Sequence, residues 1–149
     1  MKTAILEAKK TIDDVPVGCV IRHENKIIAQ THNERERSND VTAHAEILAI
    51  RKAQEVLNNW RLDDCTMYVT LEPCPMCAWA ILQSRIKAVY FGSYNSKYGA
   101  FGSAIDLNKI SDYKTKVYGG IEEEECDKLL KDFFEGIRKW YQKKNLITS

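Results

Sequence analysis

Two short runs concentrate the residues able to do chemistry: His44-Ala45-Glu46 and, after 26 intervening residues, Pro73-Cys74-Pro75-Met76-Cys77. Cysteines three apart at a helix start project from one face, and the unpaired amides there favour the thiolate, the form that binds a borderline-soft metal such as zinc. His44 supplies an imidazole as third ligand. One imidazole and two thiolates leave a tetrahedral position open for water, the arrangement of a catalytic zinc. Zinc brings the pKa of such a water from about 16 to about 7. Glu46 is two residues from His44, about 200° round a helix, and so is not a neighbouring ligand on that helix. Its carboxylate is suited instead to take the water's proton, deliver it to the ring nitrogen of an amidine-like base, and help ammonia leave the tetrahedral carbon.

Taken singly, H-x-E carries almost no information, and C-x-x-C divides between zinc, redox chemistry and chance. Structural zinc is the bland reading of the combination. It lacks a fourth ligand nearby, since His23 and His32 fall in or beside a hairpin and Cys65 at a strand start. The five cysteines are odd in number and only one pair is closely spaced, against a disulfide framework and for a metal or redox pair in a reducing compartment.

The elements that must position these residues follow from periodicity and punctuation. Residues 4–12 form a helix ended by Val15-Pro16. Residues 17–22 and 26–31 are β-rich runs joined by His23-Glu24-Asn25, a hairpin, and 33–40 is a polar loop. Thr42 is placed to cap a second helix on which Ile47, Ile50, Ala53 and Leu57 recur at helical spacing. Strand 67–71, helix 75–84 with proline in its first turn, and strand 88–91 then alternate, which predicts parallel pairing with a right-handed crossover. Such an open sheet places its site beyond the carboxyl ends of the strands, where the helix starts near His44 and Cys74 would lie. Residues 92–103 form a long structured loop and 116–118 a last short strand. Leu130, Phe133, Phe134, Ile137 and Tyr141 mark a final helix whose first turn is acidic, a solvated and dipole-favoured arrangement.

The 149 residues suffice for one domain, 1–149, and 44% hydrophobic with 29% charged residues disfavour disorder and a coiled coil. No apolar run is long enough to span a membrane, and residues 1–11 mix Lys2, Glu7, Lys9 and Lys10 among apolar residues, unlike a secretory signal. A cytoplasmic location is expected. With 22 basic and 21 acidic residues, net charge +1, any polyanion site must be local. Residues 73–105 contain Arg85, Lys87 and Lys97 and no acid, and Arg138, Lys139, Lys143 and Lys144 follow Glu135 with no acid among them. Both stretches read as locally basic surfaces for phosphate, the second beside aromatic residues, with a solvated helix end as its alternative.

H-x-E with P-C-x-x-C is the signature of the zinc-dependent nucleobase deaminases. Beyond it, Val15-Pro16-Val17-Gly18, His32-Asn33 with Arg35-Glu36, residues 42–46 and 70–77, Lys97, Gly99-Ala100, Gly102-Ser103, Glu125-Cys126 and Phe133-Phe134 resemble the bacterial tRNA-specific adenosine deaminases over almost the whole chain. The resemblance implies an α/β, three-layer α-β-α, cytidine-deaminase-like fold with a five-stranded mixed sheet. It implies one zinc per chain on His44, Cys74 and Cys77, Glu46 as the catalytic residue, and a homodimer that binds a tRNA anticodon stem-loop. The implied reaction converts adenosine to inosine at the first anticodon position of an arginine tRNA. Asn33 is implied to hydrogen-bond the flipped adenine and Phe134 to pack near its flanking nucleotides. Ala45, Asn95, Lys97 and Arg138 complete the implied substrate-binding set. Asn33 read locally could merely shape a turn, and the two phenylalanines could be helix core. Three positions depart from the family's usual pattern: Val41 stands where proline is common, Asn95 where many relatives carry aspartate, and Glu135 where a basic residue is common.

Two rival functions remain open on the sequence. A free-base or nucleotide deaminase acting on guanine or deoxycytidylate would use the same zinc chemistry. A non-catalytic RNA-binding subunit of an editing enzyme would keep the fold but lose the proton shuttle, so the presence of Glu46 speaks against it.

Overall fold

The computed structural model describes residues 1–147. Its frame is one five-stranded sheet in the order β2-β1-β3-β4-β5, with β1 Gly18–His23, β2 Lys26–His32, β3 Cys65–Leu71, β4 Ala88–Ser93 and β5 Lys116–Tyr118. β1 runs antiparallel to both β2 and β3, whereas β3, β4 and β5 are parallel, so the sheet is mixed. The hairpin β1–β2 and the parallel pairing of β3 with β4 through α4 are those expected from the sequence. A register shift at Ile21/Arg22 marks an irregularity in the hairpin.

Helices cover both faces. α1 Lys2–Ala8 packs on β1, β2 and β3 and touches α5 Glu123–Ile147, which packs on β4. α3 Ala45–Leu57 packs on β1 and β2 and against α4 Pro75–Gln83. The main core lies on the α3 and α4 side, where alternate strand residues Cys19, Ile21, Met67, Val69, Val89 and Phe91 meet Ala49, Ile50, Ile81 and Leu82. Truncating a fully buried side chain there, such as Met67 or Ile81, costs about 2–5 kcal/mol. On the other face Tyr68, Tyr90 and Tyr118 stack across three strands at 5.0 and 4.8 Å between ring centroids. Gly18 lets α1 lie close to the sheet, for a Cβ at this position would sit 1.9 Å from the Ala4 carbonyl oxygen.

Four sequence expectations change. The first helix stops at Ala8 rather than residue 12, because Lys10 and Thr11 N–H bond back to the Glu7 and Ala8 carbonyls in tight turns and Asp13 adopts φ 59°. The polar loop contains a one-turn helix, α2 Arg35–Ser38, closed by Asn39 in the left-handed region. Thr42 does not cap α3. Its N–H and hydroxyl both donate to Asp40 Oδ1, at 2.8 and 2.7 Å, and the helix begins at Ala45 behind His44. Arg85 and Lys87 do not surround the ligand cluster, because they lie between α4 and β4 at the opposite end of the sheet; Lys87 N–H bonds the Cys65 carbonyl at the start of β3, and the Arg85 guanidinium lies over Tyr113. Of the three cations in 73–105, Lys97 alone lines the cavity described next.

Candidate active site

The parallel strands β3 and β4 end side by side, and the chain leaving β3 turns at Pro73 into α4. Cys74 is the N-cap of α4 and His44 that of α3, both in extended conformation, so each side chain leaves its helix start toward the same point. Pro75 at the first helical position fixes φ where the missing N–H has no helical partner to lose. Neither N-cap side chain caps its own helix. At α3 the task passes to Asn33, whose Oδ1 accepts the Ala45 N–H at 2.8 Å. Asn33 Nδ2 donates to the Val15 carbonyl at 2.9 Å, so one side chain ties the loop before β1, the end of β2 and the start of α3 together.

His44 Nδ1 lies 3.7 Å from Cys74 Sγ and 3.4 Å from Cys77 Sγ. Tetrahedral zinc with its usual bond lengths separates nitrogen from sulfur by about 3.6 Å, and the three ligand atoms lie within 4.8 Å of one another. The cluster therefore fits one zinc, with soft thiolates and a borderline imidazole as donors. Hydrogen bonding with Cys77, and with His44 after a smaller opposing effect of burial, draws the Cys74 thiol down to about 4, while the same Cys74 contact and burial push Cys77 upward. His44 is raised by its contact with Cys74. A thiolate already favoured at Cys74 is the protonation state a metal requires.

Glu46 is 4% exposed, in the first turn of α3, and belongs to the wall of the cavity rather than to the ligand triangle. Burial pushes its carboxyl above the ordinary range, and negative Cys74 adds to the shift. A carboxyl moved in that direction exchanges protons closer to neutral pH.

The cavity above has a volume of about 510 Å³. Asn33, His44, Glu46, Cys74, Asn95, Lys97 and Phe134 all line it. Cys77 lies behind it, fully buried. Ala45 is off the wall: it is completely buried, its N–H held by Asn33 and its carbonyl accepting the Thr31 hydroxyl at 2.7 Å. Arg138 is also off the wall, exposed on α5 one turn beyond Phe134. Phe134 is 47% exposed whereas Phe133 is half-buried, the division expected of adjacent helix residues.

Sequence reasoning missed Asp14, Arg35, Glu72, Leu130, Tyr94 and Tyr98 as cavity residues. The tyrosines were legible only as part of a structured loop. The signal at Glu72 was an acidic residue between an apolar strand and Pro73-Cys74, where no solvated face is expected.

Two thiolates, an imidazole and a separate buried carboxylate, converging at the carboxyl edge of a mixed sheet, define a zinc-dependent hydrolytic deaminase. The zinc-binding region of the cytidine and deoxycytidylate deaminases matches residues 1–93. The tRNA-specific adenosine deaminase of Bacillus subtilis (strain 168) is 44% identical over 143 residues, covering 93% of this chain and 89% of that protein. A solved structure from a study of A-to-I editing by tRNA:A34 deaminases superposes with a TM-score of 0.85 at 40% identity, over 87% of this chain and 97% of that one. Guanine deaminase from Bacillus subtilis is 41% identical with a TM-score of 0.62, over 73% and 70% of the two chains. The chain belongs to the zinc-binding cytidine and deoxycytidylate deaminase family and, within it, to the tRNA-specific adenosine deaminases. Among the described residues no helix is long and apolar enough to cross a membrane.

Proposed function

We propose that this chain, as a single nucleobase-deaminase domain, hydrolyses adenosine to inosine at the first anticodon position of tRNA, an arginine tRNA in particular. The observation that carries the reading is the buried Glu46 beside the His44, Cys74 and Cys77 triangle, at the floor of a cavity rimmed by residues 94–98 and Phe134. When bound, zinc supplies a Lewis acid that makes water nucleophilic near neutral pH. Glu46 accepts a proton from the attacking water and delivers it to N1 of adenine. It then moves the proton that lets the amine depart from C6 as ammonia, leaving the carbonyl of inosine. His44, Cys74 and Cys77 hold the metal. Asn33 keeps one Nδ2 hydrogen and an Oδ1 lone pair for the base edge beyond its two internal bonds. Asn95, Lys97, Tyr94, Tyr98 and Phe134 receive the flanking nucleotides, and Arg138 touches phosphate further along α5. Ala45 contributes through the bond that fixes Asn33.

The enzyme is cytoplasmic and homodimeric in this reading. Exposure of Met76 and Trp79 on α4, beside buried Cys77, favours a second copy covering that face. Sedimentation of the zinc-loaded protein as a monomer at micromolar concentration would remove the dimer from the proposal.

A free-base deaminase is the second reading, favoured by the likeness to guanine deaminase. One experiment separates them: ammonia release from an arginine tRNA anticodon stem-loop, free adenosine, guanine and deoxycytidylate, each with the zinc-loaded protein. Turnover confined to the stem-loop is expected. Preferential turnover of guanine would replace this function with the second reading.

A further inference from the structure

Glu72 sits between the end of β3 and the Pro73-Cys74 turn, is 1% exposed, and takes no part in the proton transfer. Its carboxylate meets donors alone. Oε1 accepts the Asn95 N–H at 3.3 Å and the Ser103 hydroxyl, while Oε2 accepts the Phe101 N–H at 3.1 Å and the Ser103 N–H at 3.2 Å. None of the ion pairs among the described residues includes it. A buried anion without a cation persists only where oriented N–H and O–H dipoles replace its water, and here one loop supplies all of them.

The loop closes on the carboxylate as though round an ion. A Cβ on Gly99 would lie 2.4 Å from Glu72 Cδ and 2.5 Å from Oε2, so the backbone there approaches too closely for any side chain. The same segment is tied to itself and to the metal-ligand turn. Gly99 N–H bonds the Asn95 carbonyl at 2.7 Å, Tyr98 N–H bonds Asn95 Oδ1 at 3.1 Å, and Ala100 N–H bonds the Pro73 carbonyl at 2.9 Å. Glu72 is two residues before Cys74, and the loop it gathers carries Asn95, Lys97 and Tyr98 into the cavity wall.

We propose that Glu72 is a positioning residue: its carboxylate sets residues 95–98 at a fixed distance from Cys74, holding a nucleic acid bound on that rim in register with the floor. The inference rests on the proposed function for its substrate, and the fixing of the rim is measurable without turnover. A glutamine here is nearly isosteric but turns one acceptor into an NH₂ group facing N–H donors, so it releases part of the loop while leaving the ligands in place.

The test uses the full-length zinc-loaded protein carrying Glu72→Gln or, separately, Ser103→Ala. In Glu72→Gln, amide hydrogen exchange at Asn95, Phe101 and Ser103 should rise by about tenfold or more, with exchange in β1 and β3 unchanged. Zinc should remain at one per chain. KM for the anticodon stem-loop should rise about tenfold with kcat within about threefold, and Asn95→Ala should lose its own effect on KM in the Glu72→Gln background. Ser103→Ala should move exchange and KM in the same direction by a smaller factor. A residue that merely stabilised the fold would lower the active fraction, reducing kcat and zinc content with KM unchanged, and that result would overturn the proposal. So would unaltered exchange in residues 95–103. Should Glu72→Gln fail to fold, Ser103→Ala decides by the same readouts, and unchanged KM and exchange in it count against the proposal. If the unsubstituted protein releases no ammonia from the stem-loop, the proposed function fails, and exchange with zinc content still decides whether Glu72 fixes the rim.

Discussion

At the floor of the cavity stand His44, Glu46 and Cys74, with Cys77 buried behind them, all at or within one turn of the starts of α3 and α4, whereas the rim is made by residues 94–98 and by half-exposed Phe134 on α5. The floor inherits its geometry from the sheet. Strand ends fix where both helices begin, and each helix start delivers a ligand with its backbone rather than through a long flexible side chain. The rim inherits its geometry from hydrogen bonds to one buried carboxylate and from a helix with a single fully buried residue, Cys126. In the proposed function, regular structure thus carries the chemistry, where an error of an ångström is costly, and a held loop carries recognition, where neighbouring substrates must be told apart.

Separating the two walls by mutation gives the largest effects at the floor. Cys74→Ala should strip the zinc and all turnover, seen by elemental analysis and ammonia release. Glu46→Gln should keep zinc and stem-loop affinity yet lower kcat by about 10²–10⁴, the usual contribution of a positioned proton shuttle. Equal loss of zinc in the two variants would erase the distinction between ligand and shuttle. Full zinc in Cys74→Ala, with loss in Cys65→Ala or Cys126→Ala, would replace the ligand set.

Asn33→Ala sharpens the comparison because Asn33 belongs to the floor yet faces the cavity. It removes the acceptor for the Ala45 N–H and the donor to Val15, and each buried group left unpaired costs about 1–3 kcal/mol. Chemical denaturation should report that loss, and KM should rise with it. A change in KM alone would mean that Asn33 reads the base without supporting α3.

A smaller effect is expected at Glu7 of α1, which does not line the cavity. Burial would raise the Glu7 carboxyl, but hydrogen bonds from Lys10 at 2.8 Å and His32 at 3.1 Å outweigh it and hold Glu7 below its ordinary value. A depressed folded-state pKa contributes stability above the unfolded-state pKa, and that contribution disappears as pH falls through the folded one. Thermal melts should therefore lose stability on acidification below about pH 4, and Glu7→Gln should flatten this limb while leaving turnover near neutral pH intact. An unflattened limb would assign the acid loss to other carboxylates.

What the sequence made legible follows the same division. His44, Glu46, Cys74 and Cys77 are close in sequence to the helix starts that place them, so local pattern was enough for the floor. The five-stranded mixed sheet was legible by resemblance and its alternation of elements. Thr42 misled because capping rules are local while the acceptor that serves α3 comes from Asn33, at the end of another strand. Arg85 and Lys87 misled because neighbours along the chain lie at opposite ends of a crossover. At Glu72 the local pattern shows only an acid out of place after an apolar strand; its partners could not be read there because its donors arrive 23 to 31 residues later.

The smallest expected effect tests whether the rim continues along α5. Beyond Ile137 the side chains of the described helix are exposed, including Trp140 at 52% and Tyr141 at 58%, and the Lys144 ammonium lies 4.4 Å from the Trp140 ring centre. Truncation after Ile137 removes Arg138, Lys139, Lys143 and Lys144 while retaining Cys126 and Phe134. Every phosphate that the tail ceases to neutralise should reduce the slope of log affinity against log salt by about 0.7–0.9. Affinity for the stem-loop and that slope should both fall, with zinc content and kcat at saturating substrate unchanged. Unchanged affinity and slope would make the tail a solvated helix end and leave phosphate binding to the rim. Asn95→Asp then becomes the sharper probe. Aspartate retains an acceptor for the Tyr98 N–H that Asn95 Oδ1 now receives at 3.1 Å, so weaker stem-loop binding in that variant, relieved by added salt, would report the new negative charge beside the bound strand.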